Sequence, residues 1–545
     1  MKQPDSRRTL SSKVREEAAE IAFLRPYPDH LTNGEESAYR NLDNTSPDYN
    51  KLNYIANHSK GLHHNQTTGI VKREDYEALL KAIISGNNND FERIPLGIDP
   101  PSSPNVTKQD KFTNPQAGLA YDLEGPDCYS LKIPPAPRID ELEAAAEIIE
   151  LYWMARLRDV NFAAFADPSV TDPATTNLIN KAIDDLNDFG KNFKGPKDKN
   201  TNDVTTATLF RGFASGDLVG PYLSQFLLKD IKYGTLTIKQ FQHPVKSAKD
   251  YLIDFPSWLA VQNGDDRHGQ DIPEPTAPPG GRHIINGRDL SHYVHFDALY
   301  EAYLNACLIL IDMNAPVDPG NPYTNSRTQK SFGTFGGPHI LSLVTEVATR
   351  ALKAVWFQKW FVHRRLRPEE FGGIIYNVKT KGAAYKIDKK VIKTIQDHIL
   401  NKRVFTINNN NFLLPQAFPE GCPTHPSYGA GHATVAGACV TILKAYFDES
   451  FVMPNPKIPN PQGTGLVDYT GTDKDDITVG GELKKVAANI AIGRNWAGVH
   501  YRSDYTESLK LGEMIAIGIL EEQKLTYNED HSFSVTKFDG TSITI

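Results

Sequence analysis

The chain has 545 residues, 39% of them hydrophobic, which is material for two or more domains or for one large helical body. Its 59 Lys and Arg against 66 Asp and Glu leave a net charge of −7 with the signs interspersed, which excludes the strongly basic face of a nucleic-acid binder. The four cysteines, Cys128, Cys307, Cys422 and Cys439, have neither zinc-ligand spacing nor the density of a disulfide scaffold, and without an apolar signal core or a run of about 18 apolar residues the expectation is no membrane partner and a cytoplasmic default.

Residues 1–135 are polar and rich in Asn, Asp and Pro. One helical pattern stands out there, Arg73 to Ser85, with Tyr76, Leu79, Leu80 and Ile83 on one face. Pro100–Pro104 and Pro134–Pro137 predict irregular chain, so this third reads as a wrapping arm of the kind that serves subunit contacts or lies as surface loops. A helical body is expected over 136–545. Its predicted helices are 139–165, Thr175–Leu186, Gly216–Ile231, Ser291–Met313, Pro338–Arg365 and Asp388–Leu400, then about 430–447, 481–496 and 504–523. Pro273–Arg282 is a Pro/Gly linker, Asn408–Asn411 a polar loop, and Phe533–Val535 with Ile543–Ile545 around Asp539-Gly540 a terminal hairpin. The fold class is mainly α, in helix bundles with long loops and a small C-terminal β-hairpin.

Three segments carry chemistry, within about 355–505. Lys359 and Arg367 lie a little over two helical turns apart where Pro368 stops a helix, so both can reach one cavity. Arg364 and Arg365 add charge, but adjacent helical residues face different ways, so at least one of them is a structural or surface cation. Cys422-Pro-Thr-His425-Pro-Ser-Tyr-Gly-Ala-Gly431-His432 runs from a Pro/Gly loop into an apolar helix. Such an entrance offers unpaired N–H donors and the positive end of the helix dipole to an anion, with His432 as a proton carrier. In the third segment Arg494 and His500 are six residues apart, about 120° around a straight helix, and Gly498 offers the break that turns His500 back. Asp504, four residues on, can accept from one ring nitrogen and leave the other as a nucleophile or ligand. Forked cations, a point cation, backbone donors and an oriented imidazole together describe a pocket for a tetrahedral oxyanion.

The order and spacing of Lys359, Arg367-Pro368, Gly431-His432, Arg494, His500 and Asp504 resemble the vanadium haloperoxidase and acid phosphatase superfamily. The eight-residue step from Lys359 to Arg367, and His425 seven before His432, look like its bromoperoxidase branch, of red-algal and cyanobacterial type. That resemblance implies two four-helix bundles and a homo-oligomer, a dodecamer among the family's states. It also implies a vanadate cofactor, with a structural calcium whose ligands the sequence does not map. Carried onto this chain, it makes His500 the axial vanadate ligand, oriented by Asp504. Lys359, Arg367, Arg494 and the Gly431 amide face the equatorial oxygens, and His432 takes a proton from hydrogen peroxide. Lys359 polarises the activated peroxide, and His425 tunes protonation or halide approach. The implied activity is oxidation of bromide or iodide by peroxide, halogenating a small organic substrate. Two alternatives stand beside it: an acid phosphatase working through a phosphohistidine, and a non-catalytic oxyanion-binding assembly protein. The family's serine before the Gly-His pair is Ala430 here, which removes one hydroxyl hydrogen bond to the anion.

Overall fold

The computed structural model describes residues 4–35, 54–98, 108–381, 389–401 and 411–545. The proline-rich stretch 100–104, Asp388 and Asn408–Asn410 lie outside the described residues. Four helices form the C-terminal bundle: Gly337–Phe357, Gly431–Tyr446, Val479–Ala497 and Arg502–Gln523. Helix 431–446 is buried on nearly every side, because its Ala, Gly, Val and Ile residues leave no polar face. Its closest neighbour is helix 502–523, and the approach is set by small residues. A Cβ on Gly437 would stand 2.1 Å from the Leu509 carbonyl oxygen, and one on Gly512 would stand 1.9 Å from that of Thr434. A second group of four is centred on Leu142–Leu157, which packs on Pro173–Asp188, Lys389–Asn401 and the shared helix 479–497. Among the described residues, strands form three short antiparallel pairs, one of them the terminal hairpin, Ser534–Thr536 with Ser542–Thr544.

Several expected elements differ. The segment 139–165 is two helices, Leu142–Leu157 and Phe162–Ala166, split by the cap of Asn161. Ser291–Met313 likewise divides into Gly287–Phe296 and Glu301–Asp312, bent by 99°. The helix expected over Gly216–Ile231 is absent, and that segment is turns with one short 3₁₀ element, Gln225–Leu227. Gly216 and Gly220 adopt left-handed backbone, and Pro221 removes a donor, so the apolar spacing there reflects loop packing. A 21-residue helix, Pro4–Leu24, was not expected, because it is solvent-facing and has no continuous apolar stripe.

Described residues of the N-terminal quarter pack on the body where the site lies. Asn57 bridges Arg365, and the His58 amide donates to the Arg364 carbonyl. Lys60 Nζ donates to Glu369 and to the carbonyls of Glu420 and Cys422. All four cysteines are free and buried. Among the described residues no single helix is long and apolar enough to cross a membrane.

Candidate active site

Helix 337–357 widens into a π turn over Gln358–His363, and Arg364 ends it in left-handed backbone at φ 58°. The chain then runs extended through Arg367 (φ −80°, ψ 158°) into Pro368–Tyr376, whose first residue is the proline that cannot continue a helix. This reversal sends Arg365 and Arg367 to different places. Arg367 points to the loops before Gly431 and His500. Its Nε donates to the His425 carbonyl (2.8 Å), Nη2 to His425 Nδ1 (2.9 Å), and Nη1 to the Val499 carbonyl (2.8 Å) and to His500 Nε2 (3.0 Å). Lys359 reaches the same place from the π turn, donating to the carbonyls of Pro426 (2.8 Å) and Ser427 (3.1 Å).

Helix 479–497 stops at Gly498, left-handed at φ 86°. That break brings Arg494 and His500 to one cavity, which has a volume of about 490 Å³ and is also lined by His425, Gly431, His432 and Trp356. His500 does not share a helical turn with Asp504. It precedes the helix, and Asp504 occupies the first turn of Arg502–Gln523, where its Oδ2 accepts from the Tyr501 amide (3.0 Å) and from His500 Nδ1–H (2.8 Å). Ser427 Oγ donates to the same carboxylate, and Arg365 grips its other oxygen at 2.9 Å and Glu147 at 3.0 Å. The imidazole is thereby fixed with its proton on Nδ1 and its lone pair on Nε2.

The electrostatics follow from burial. Lys359 and Arg367 are 0% exposed, His500 2% and Arg494 5%. Among the described residues, none of the three cations makes an ion pair with a carboxylate, whereas buried Arg365 and Arg502 do. Burial, then the neighbouring Arg367, hold the Lys359 ammonium well below its ordinary range and bring Arg494 down to about 10. Burial and the same cations push His500 and His425 well below the usual imidazole value, so both are neutral. Arg494 Nε is buried without a partner, while its Nη1 donates to the Val294 carbonyl. A buried cluster of cations without carboxylate partners around a neutral acceptor nitrogen is suited to hold an anion, and a tetrahedral oxyanion such as vanadate fits these donors.

Five residues of this arrangement escaped the sequence reading. Asp297 pairs with His432 Nε2 at 3.0 Å. Trp356 packs on His425 and lies under Lys359, and Phe418 lies under Arg494. Glu147 and Ser427 hold the Asp504 assembly. Asp297, Glu147 and Phe418 act from distant segments, while Ser427 and Trp356 lie within or beside the site segments but carry no chemistry that a spacing pattern singles out.

Comparison with known proteins gives one consistent picture. Residues 340–528 match the family model described as "VCPO second helical-bundle domain". The chain is 41% identical to a vanadium-dependent bromoperoxidase of Corallina officinalis, over 99% of this chain and 98% of the relative. It is 32% identical to one from Ascophyllum nodosum, over 87% and 84%. Among solved structures, the homohexameric second vanadate-dependent bromoperoxidase of Ascophyllum nodosum superposes with a TM-score of 0.87 at 27% identity, covering 100% of this chain and 91% of the other.

Proposed function

The chain belongs to the vanadium-dependent bromoperoxidases, and from that premise we propose that its buried site holds vanadate and uses hydrogen peroxide to oxidise bromide or iodide to hypohalous acid or an equivalent, which halogenates a small organic substrate. The observation that carries this reading is the neutral His500 Nε2 set among three buried cations without carboxylate partners. Bound there, vanadate supplies a Lewis acid that activates peroxide toward halide attack without changing its own oxidation state.

The residues divide the work. His500 would hold vanadate through Nε2, and Asp504 is a positioning residue that keeps the proton on Nδ1. Arg367, Arg494 and Lys359 supply positive charge to the anion's oxygens, with the Gly431 amide at the start of helix 431–446. His432 donates through Nε2 to Asp297, which leaves Nδ1 to take a proton from incoming peroxide. Lys359 would also hold positive charge beside bound peroxide, and His425, held neutral against Arg367, would shape the halide approach. Residues 1–135 act as an arm that buttresses the catalytic body 136–545. The chain works as a homo-oligomer, a hexamer or a dodecamer, and exposed Leu10, Phe23 and Leu24 on helix 4–24 give it apolar surface for subunit contact.

Vanadate-loaded protein with peroxide and bromide is expected to brominate a phenolic dye, and the vanadate-free protein is not. Hydrolysis of a phosphate ester by the vanadate-free protein, with no bromination after loading, would overturn the assignment in favour of a phosphatase. Ala430→Ser tests the one departure from the family motif. Ala430 is the N-cap of helix 431–446 and gives it no side-chain cap. A serine there supplies a hydroxyl to the anion, on the order of 1.5–3 kcal/mol for a charged acceptor, and caps the helix for about 1 kcal/mol more. Tighter vanadate binding in equilibrium dialysis is expected, and weaker binding contradicts the hydroxyl argument.

A further inference from the structure

Beside the oxyanion pocket, and outside the machinery assigned above, three metal-ligating side chains converge. Asp271 comes from the loop before the 273–282 linker, and His292 and His295 come from one face of helix 287–296. One ligand atom from each of the three lies within 4.8 Å of the others. Asp271 Oδ2, His292 Nδ1 and His295 Nδ1 are all buried without a hydrogen-bond partner. Three orphaned polar atoms meeting at one point are costly unless something occupies that point.

The surroundings favour a cation. His295 Nε2–H donates to Glu420 Oε1 at 2.5 Å, which places the ring lone pair on Nδ1, 3.9 Å from Asp271 Oδ2. A histidine ligand backed by a carboxylate on its far nitrogen is the usual way a protein orients such a ligand. The His295 ring is also stacked on Phe418 at 3.7 Å, so it does not turn away. Two imidazoles and one carboxylate select a borderline transition metal over calcium or magnesium, which prefer all-oxygen shells.

We propose that Asp271, His292 and His295 form a second metal site, binding one divalent transition-metal ion of the zinc type with an open coordination position for water or a small anion. His295 and Glu420 also line the cavity that holds the oxyanion pocket, so the ion sits beside the halide's route. The site does not depend on the haloperoxidase reading, because its ligands are distinct from the oxyanion's.

Chelator-stripped full-length protein, titrated with Co²⁺ and followed by visible absorption, is expected to take up one ion per protomer with d–d bands of low symmetry. His292→Ala and Asp271→Asn should abolish the bands. Glu420→Gln should keep them with affinity weakened roughly 10–100-fold. Circular dichroism checks that each variant is folded. X-ray absorption on zinc-loaded wild-type protein needs no variant and should show nitrogen and oxygen neighbours with two imidazoles. Absence of stoichiometric binding, or full-strength bands in both ligand variants, refutes the site. A neighbour shell containing sulfur or fewer than two imidazoles does so as well.

Discussion

His500→Ala is expected to abolish vanadate-dependent halide oxidation in protein that still folds. His500 Nε2 is a neutral acceptor that takes a hydrogen bond from Arg367 and lines the cavity with Arg494, and its Nδ1 is held by Asp504. Losing a direct ligand should exceed the roughly 10–100-fold that loss of an orienting residue behind a metal ligand produces. Asp504→Asn provides that comparison. It keeps Nε2 in place but weakens the acceptor that holds the Nδ1 proton. Vanadate affinity should therefore fall partially in Asp504→Asn and beyond detection in His500→Ala. Equilibrium dialysis with vanadate measures both, independently of turnover. Equal affinity for wild type and His500→Ala would remove His500 from the site altogether.

The three site segments were readable because each combines a chain break with a charged residue at fixed spacing. Pro368, Gly431 and Gly498 mark where backbone direction changes, and the structure turns the chain at all three. The order of helices from 337 to 523 was readable for a related reason: apolar residues recur there at helical period. The failures share a different cause. At Gly216–Ile231 the apolar spacing imitates a helix, but the backbone is held by side chains from elsewhere, the Ser224 and Gln225 amides donating to Asn489 and Glu482. Arg365, by contrast, is the structural cation expected of the Arg364–Arg365 pair, although its partners were not readable. The π turn and the left-handed Arg364 redirect Arg365 inward, to a carboxylate more than a hundred residues away. Asp297, Glu420 and Asp271 could not be found from sequence for the same reason, since only tertiary packing brings them to their histidines.

Arg365→Met is expected to cost the most stability of any change at the site, about 3–5 kcal/mol, because it leaves two buried carboxylates without their cation. Arg365 joins Glu147 and Asp504, whose side chains are 5% and 0% exposed, and its guanidinium lies 4.0 Å over the Tyr501 ring. Burial already raises Glu147 above the ordinary carboxylate value, with Arg365 the foremost opposing influence. Without Arg365 the folded-state value rises further above the unfolded one. A group raised in this way binds more protons folded than unfolded, so the variant loses stability as pH rises from about 4 toward neutrality. The deficit against wild type should thus be small at pH 4.5 and large at pH 7.5 in urea unfolding. Arg365→Lys should recover only part of it, since an ammonium cannot bridge both carboxylates as the fork does. Asp504 would also lose its anchor in Arg365→Met, so vanadate affinity should fall alongside stability. Wild-type stability at pH 7.5 would mean that the carboxylates find another partner, and that the orientation of His500 rests on Ser427 and the Tyr501 amide alone.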